Sequence, residues 1–202
     1  MIAAIAQSQD APDPGVCARC ALSEPTCCRV EVGQEEHCFP LSEMEWDRIL
    51  DFSGDKGSFV QESNTPPFVN NLKRLFPGED ALIDKLFPVH EHKFHLRLAT
   101  RPDGACIFLR PQGCALPREA RPYYCRLFPF WVQGSRLTMF TPPRCLAVRE
   151  NRTLRRTLAA LDMTQARARE LHGRLRLAWG LPPQEGMDVI DESFSRYNKA
   201  KR

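Results

Sequence analysis

No stretch of this 202-residue chain approaches the roughly 18 consecutive apolar residues that a membrane-spanning helix needs. Residues Met1 to Gly15 carry only a short apolar patch, Ile2 to Ala6, with no Lys or Arg ahead of it. A secretory signal needs that basic start and an apolar run of about ten residues, so none is read here, and a reducing cytoplasm is the expected compartment. There is no internal repeat and no low-complexity tract. The glycine-rich turn from strand to helix that cradles nucleotides is missing, which argues against a doubly wound cofactor-binding enzyme. No Ser-His-Asp or Cys-His arrangement stands out as a nucleophilic site, and the paired histidines of a C2H2 finger are lacking.

What the chain does have is cysteine. There are nine, and "CARCALSEPTCC", residues 17 to 28, places four of them in twelve positions. With 43% hydrophobic and 26% charged residues the chain can build an ordinary core. Disulfide-dense scaffolds are usually shorter than about 80 residues, so these thiols need another reason. An odd count also leaves one thiol outside any complete set of internal disulfides.

The remaining pattern predicts an α+β fold: a mostly helical single domain with a small β element, organised around a cysteine metal site. Residues 1–15 read as a flexible lead-in, 16–146 as a cysteine-cluster metal-binding domain, and 147–202 as an Arg-rich helical extension packed on it. Ser42 followed by Glu45 is a capping box for a helix over Glu43 to Phe52, with Leu41 and Trp46 spaced as a hydrophobic staple. Thr65 and Pro66 open a second helix, and Leu82, Ile83 and Leu86 carry a third. "KFHLRLAT", "ACIFLR" and "SRLTMFT" read as strands of one small sheet. From Leu146 the spacing is helical, ending in a last helix with Val189, Ile190 and Phe194.

Thiolates are the soft ligands of zinc and of iron-sulfur clusters, and a C-x2-C pair such as Cys17 and Cys20 can bring two sulfurs from one tight turn to a single metal. Cys27 and Cys28 are adjacent, so their side chains diverge and cannot easily serve one tetrahedral centre; one of them is expected to reach a second metal, a bridging position or the core. The candidate ligands are Cys17, Cys20, Cys27, Cys28, Cys106, Cys114, Cys125 and Cys145. Eight thiolates suit two four-ligand sites, or one site with spares. Cys38, beside Phe39, reads as a core residue. Four thiolates on zinc or on an oxidised four-iron cluster leave a formal charge of about minus two, which Arg19, Arg29, Arg121, Arg126 or Arg144 could balance. His90, His92 and His95 read as a solvated approach to a strand. The nine arginines between Arg144 and Arg176 read as a solvated helix face, so nucleic acid is not an expected partner.

Residues 104 to 130, "GACIFLRPQGCALPREARPYYCRLFPF", together with the early cluster, resemble the YkgJ-type cysteine-cluster family, described as zinc- or iron-chelating proteins. The elements that carry the likeness are Cys17, Cys20, Cys27 and Cys28, then Cys106, Phe108-Leu109, Cys114, Arg121-Pro122, Cys125, Arg126 and Phe128-Pro129. Six residues separate Cys20 from Cys27, where the family pattern has two, and Cys38 and Cys145 are additions. The resemblance implies metal chelation, by an iron-sulfur cluster of the 4Fe-4S kind or by zinc, with the lean to iron-sulfur. A related cysteine-rich region is associated with flagellin lysine N-methylation, which makes a cluster-supported enzyme, or a redox carrier, the alternative expectation.

Overall fold

The computed structural model describes residues 15–23 and 26–183. The expected lead-in, apart from Gly15, and the expected last helix around Val189, Ile190 and Phe194 lie outside the described residues. Helices dominate, joined by short antiparallel ribbons, as a mixed α+β fold requires.

The helix α1, Val16–Leu22, buries Val16 and Cys20, which sit one turn apart on the same face. The C-x2-C pair therefore lies on a helix rather than in a tight turn. Helix α2, Glu43–Ser53, starts with the predicted capping box: the Ser42 side chain accepts from the Glu45 N–H, and the Glu45 carboxylate accepts from the Ser42 N–H at 2.9 Å. It stops at Gly54, whose φ of 65° is a left-handed cap that glycine adopts without steric cost. Thr65 caps α3, Pro66–Leu75, and α4 follows at Asp80–Leu86.

The strands do not join into one sheet. Strand β1, Phe59–Ser63, pairs with β2, Phe94–Leu98; β3, Leu109–Arg110, pairs with β4, Gly113–Cys114; and β5, Phe130–Gln133, pairs with β6, Arg136–Met139. Each is a two-stranded antiparallel ribbon. Only the end of "ACIFLR" is strand, because Cys106 makes an isolated bridge to Thr100 before the chain turns into the β3–β4 hairpin.

Between the second and third ribbons lies the short helix α5, Tyr123–Leu127. After them come α6, Leu146–Asn151, α7, Leu154–Ala160, and α8, Gln165–Ala178, the last two capped by Thr153 and Thr164. Helices α7 and α8 share the main core, whereas α6 packs in a separate cluster with Val16. Leu171 and Leu175 of α8 pack with Phe68 and Leu72 of α3, Phe76 at its C-cap, Leu127 of α5 and Trp131 of β5. Each such buried side chain contributes about 1.5–3 kcal/mol. Arg176, 1% exposed, makes a bidentate ion pair with Glu79 at 2.7 Å and so ties the end of α8 to the start of α4. Two smaller apolar clusters stand apart from this core, one around Val16 and Cys145 and one around Ile49, Phe108 and Leu116. The candidate site lies where they meet.

Candidate metal centre

All nine cysteines line one cavity of about 350 Å³, although they come from positions 17 to 145. Each wall has its own scaffold. Helix α1 supplies Cys17 and Cys20, and Cys145 stands at the N-cap of α6, which packs on α1. The exposed Arg19–Glu150 ion pair, 2.8 Å long, links the same two helices. Cys106 precedes the β3–β4 hairpin, Cys114 sits in β4, and Cys125 sits on α5.

The Cys27-Cys28 turn joins the walls. The Cys106 N–H donates to the Cys28 carbonyl at 2.9 Å, and the Val30 N–H donates to the Gly104 carbonyl at 3.0 Å. Gly104 cannot carry a side chain here. Its φ is +78°, and a Cβ would lie 2.0 Å from the Val30 carbonyl oxygen. Gly113, at the next turn, has a φ of +101° that favours glycine, and its backbone packs against Cys17 and Ala18 of α1.

No disulfide forms among the nine. Cys17, Cys27, Cys28 and Cys125 retain accessible surface, yet burial governs the chemistry of Cys17 and Cys125, because that surface faces the cavity. On the hairpin side, burial pushes Cys106 up to about 12 and raises Cys114 and Cys125 as well. Burial also lifts Cys17 and Cys38 to about 11.

The side with α1 and α6 behaves differently. Cys27 keeps its proton because it shares it with the sulfurs of Cys145, Cys20 and Cys28. That hydrogen bonding lowers Cys20 to about 4 and Cys145 to about 7, and lowers Cys28 too. Cys20 Sγ also lies 3.5 Å from the Thr26 hydroxyl.

Of the five arginines near cysteines in the sequence, Arg121 is the one whose charge acts on several sulfurs. It lines the cavity, lowers Cys114, Cys28 and Cys17, and is oriented by donating from Nε to the Leu116 carbonyl at 2.9 Å. Arg29 pairs with Asp103, Arg144 pairs with Glu31, and Arg126 lies over the Tyr123 ring.

Cys38, expected in the core, lies instead on the cavity wall, close enough to Cys106 for the two to influence each other's ionisation. Glu45, read from sequence as a helix cap, does more. Its second oxygen accepts from the Tyr123 N–H at 2.7 Å, at the start of the helix that carries Cys125. The three histidines near β2 do not share one site: His90 and His92 lie side by side on the surface, their rings 5.5 Å apart, while His95 is buried against Phe68 and bonded to Asn64 at 2.9 Å.

Among the described residues no group of three or more His, Cys, Asp or Glu side chains closes on a single point so as to hold one metal ion. The sulfurs are spread over the walls of a void instead. No helix among the described residues is long and apolar enough to cross a membrane. Compared with known proteins, the chain matches no family model, no curated protein and no solved structure.

Proposed function

We propose that this protein is a metal-thiolate protein in which Cys17, Cys20, Cys27, Cys28, Cys106, Cys114, Cys125 and Cys145 hold iron-sulfur or zinc. The observation that carries this reading is the convergence of every cysteine in the chain on one cavity. Thiols used only as small hydrophobes have no reason to gather, and structural disulfides would have paired them. The donor set is soft throughout, which suits thiophilic metals.

Iron-sulfur is favoured over zinc by size. Zinc draws four sulfurs to about 2.3 Å from one point and leaves no void between them. A cavity of 350 Å³ equals the volume of about a dozen liquid waters, room for several metal and bridging atoms. Bound there, a cluster would supply one-electron redox chemistry and a cross-link between distant parts of the chain. The chain's own contribution is the rest. Arg121 offsets negative charge on the sulfurs, and Glu45 fixes the helix that carries Cys125. Because the site joins residue 17 to residue 145, its binding free energy becomes folding free energy.

This reading favours kinship with the YkgJ-type proteins and a reducing compartment such as the cytoplasm. Nucleic acid is not favoured as a partner, since Arg144, Arg167, Arg174 and Arg176 are already engaged by Glu31, Glu170 and Glu79.

The test is metal and sulfide analysis of protein purified without oxygen, beside a sample whose thiols were alkylated while unfolded. Iron with matching sulfide, absent from the alkylated sample, supports the cluster; stoichiometric zinc supports the plainer metal site. A protein that takes up neither after refilling overturns the proposal.

A further inference from the structure

The nine thiols do not surround the cavity evenly. Cys20, Cys27 and Cys145 act on one another, and Cys17, which shares helix α1 with Cys20, acts with Cys28, Cys20 and Cys145. Across the void, Cys106, Cys114 and Cys125 form a second neighbourhood, since both Cys106 and Cys114 act on Cys125 and Cys114 acts on Cys106. Cys28 alone is a neighbour of both sets, acting with Cys27, Cys17, Cys20 and Cys145 on one side and with Cys106, Cys114 and Cys125 on the other.

The apolar packing makes the same division independently. Cys145 belongs to a cluster with Val16, Ala147 and Val148, which holds α1 to α6. Cys106 and Cys114 pack on a different cluster, built on Ile49, Phe108 and Leu116. Cys125 is fastened to that second body through α5, because Glu45 on the same helix as Ile49 holds the Tyr123 N–H. The two bodies meet through the Cys27-Cys28 turn and the packing of Gly113 in β4 against Cys17 and Ala18 of α1. The Cys27 and Cys28 sulfurs lie close to each other, so this turn holds the two sets of thiols edge to edge.

From this we infer that the cavity is two adjoining thiolate compartments, each with its own metal or cluster: Cys17, Cys20, Cys27 and Cys145 on the α1–α6 body, and Cys28, Cys106, Cys114 and Cys125 on the hairpin body. The inference rests on the proposed metal-thiolate function and adds to it the number of centres and the ligands of each. Four thiolates per compartment is the complement that either a tetrahedral zinc or a cubane cluster takes. Cys38 is left as the ninth thiol, on the wall beside Cys106.

Native mass spectrometry of the full chain, purified and refilled without oxygen, counts metal and sulfide per molecule directly. The same count is made for Cys145→Ser and Cys125→Ser, with circular dichroism reporting whether each is folded. Two centres per wild-type chain, with each folded variant keeping about half the metal, is the expected result. One centre per wild-type chain, lost entirely from either folded variant, overturns the two-compartment inference and leaves the metal-thiolate reading standing. If a variant does not fold, the wild-type count decides by itself between two centres and one. A wild-type chain that takes up no metal overturns both.

Discussion

Glu45 Oε1 accepts a hydrogen bond from the Tyr123 N–H at 2.7 Å, two residues before Cys125, while its Oε2 accepts from the Ser42 N–H and hydroxyl at 2.9 and 2.7 Å. One buried carboxylate therefore caps two helices, α2 and α5. Glu45→Ala removes these charge-assisted bonds and is expected to cost about 2–4 kcal/mol. A thermal melt should then fall by about 5–15 °C. If Glu45 positions Cys125, the variant also holds less metal at temperatures where it remains folded. An unchanged metal count with a lowered melt would reduce Glu45 to a helix cap.

Gly104→Ala addresses the backbone joint between Cys28 and Cys106. The added Cβ collides with the Val30 carbonyl, so the loop must shift and the Cys106 N–H should lose its bond to Cys28. At least half of the bound metal is expected to go. Gly134→Ala, in a hairpin turn where a Cβ meets nothing within 4 Å, is the control for positive-φ strain alone and should retain its metal.

Capping signals explain why parts of this fold could be read early. Ser42 and Glu45 form a capping box whose three-residue spacing is visible in the sequence, and Thr65-Pro66 marks α3 in the same way. Helices α1 and α5 carry no side-chain cap and run only seven and five residues, so nothing local announces them. Strand β5 has consecutive buried residues, Phe130, Trp131 and Val132, and such a run lacks the alternation that betrays a half-exposed strand. That the eight candidate cysteines gather at one place was legible, because soft donors clustered in sequence tend to share a site. Their division into two neighbourhoods was not, since it depends on which distant elements pack around Val16 and which around Ile49.

Acid should loosen the core through His172. Its imidazole is fully buried against Trp131 and Phe76, neither ring nitrogen has a hydrogen-bond partner, and burial lowers its pKa from the usual 6.5 to about 3. Between those values the unfolded chain binds a proton that the folded chain refuses. The stability contributed by the neutral ring is complete above about pH 6.5 and is lost as the pH falls toward 3, at up to about 1.4 kcal/mol per pH unit. His95, lowered to about 4, acts with the same sign. In denaturant melts, His172→Phe is expected to match the wild type near neutrality and to outlast it at pH 4–5; parallel pH profiles for the two would contradict this.

Metal uptake should release protons. Burial holds Cys106, Cys114 and Cys125 above the ordinary thiol range, so each must lose a proton to become a ligand. Apparent affinity for zinc, measured by competition with a chelator, is expected to rise steeply between pH 6 and 8. A flat profile would mean that these three sulfurs are not ligands.

Cys38→Ala separates wall from ligand. Cys38 lines the cavity but is the ninth thiol beside two sets of four. The variant is expected to keep its full metal complement, as counted by elemental analysis, whereas loss of metal would place Cys38 among the ligands.

X-ray absorption at the metal edge, on protein purified without oxygen, tests the central claim most directly. Metal surrounded by sulfur alone, with short metal–metal scattering if the centre is an iron-sulfur cluster, is the predicted result. A first coordination shell of nitrogen and oxygen would contradict it, for then the cavity that gathers all nine cysteines does not hold the metal.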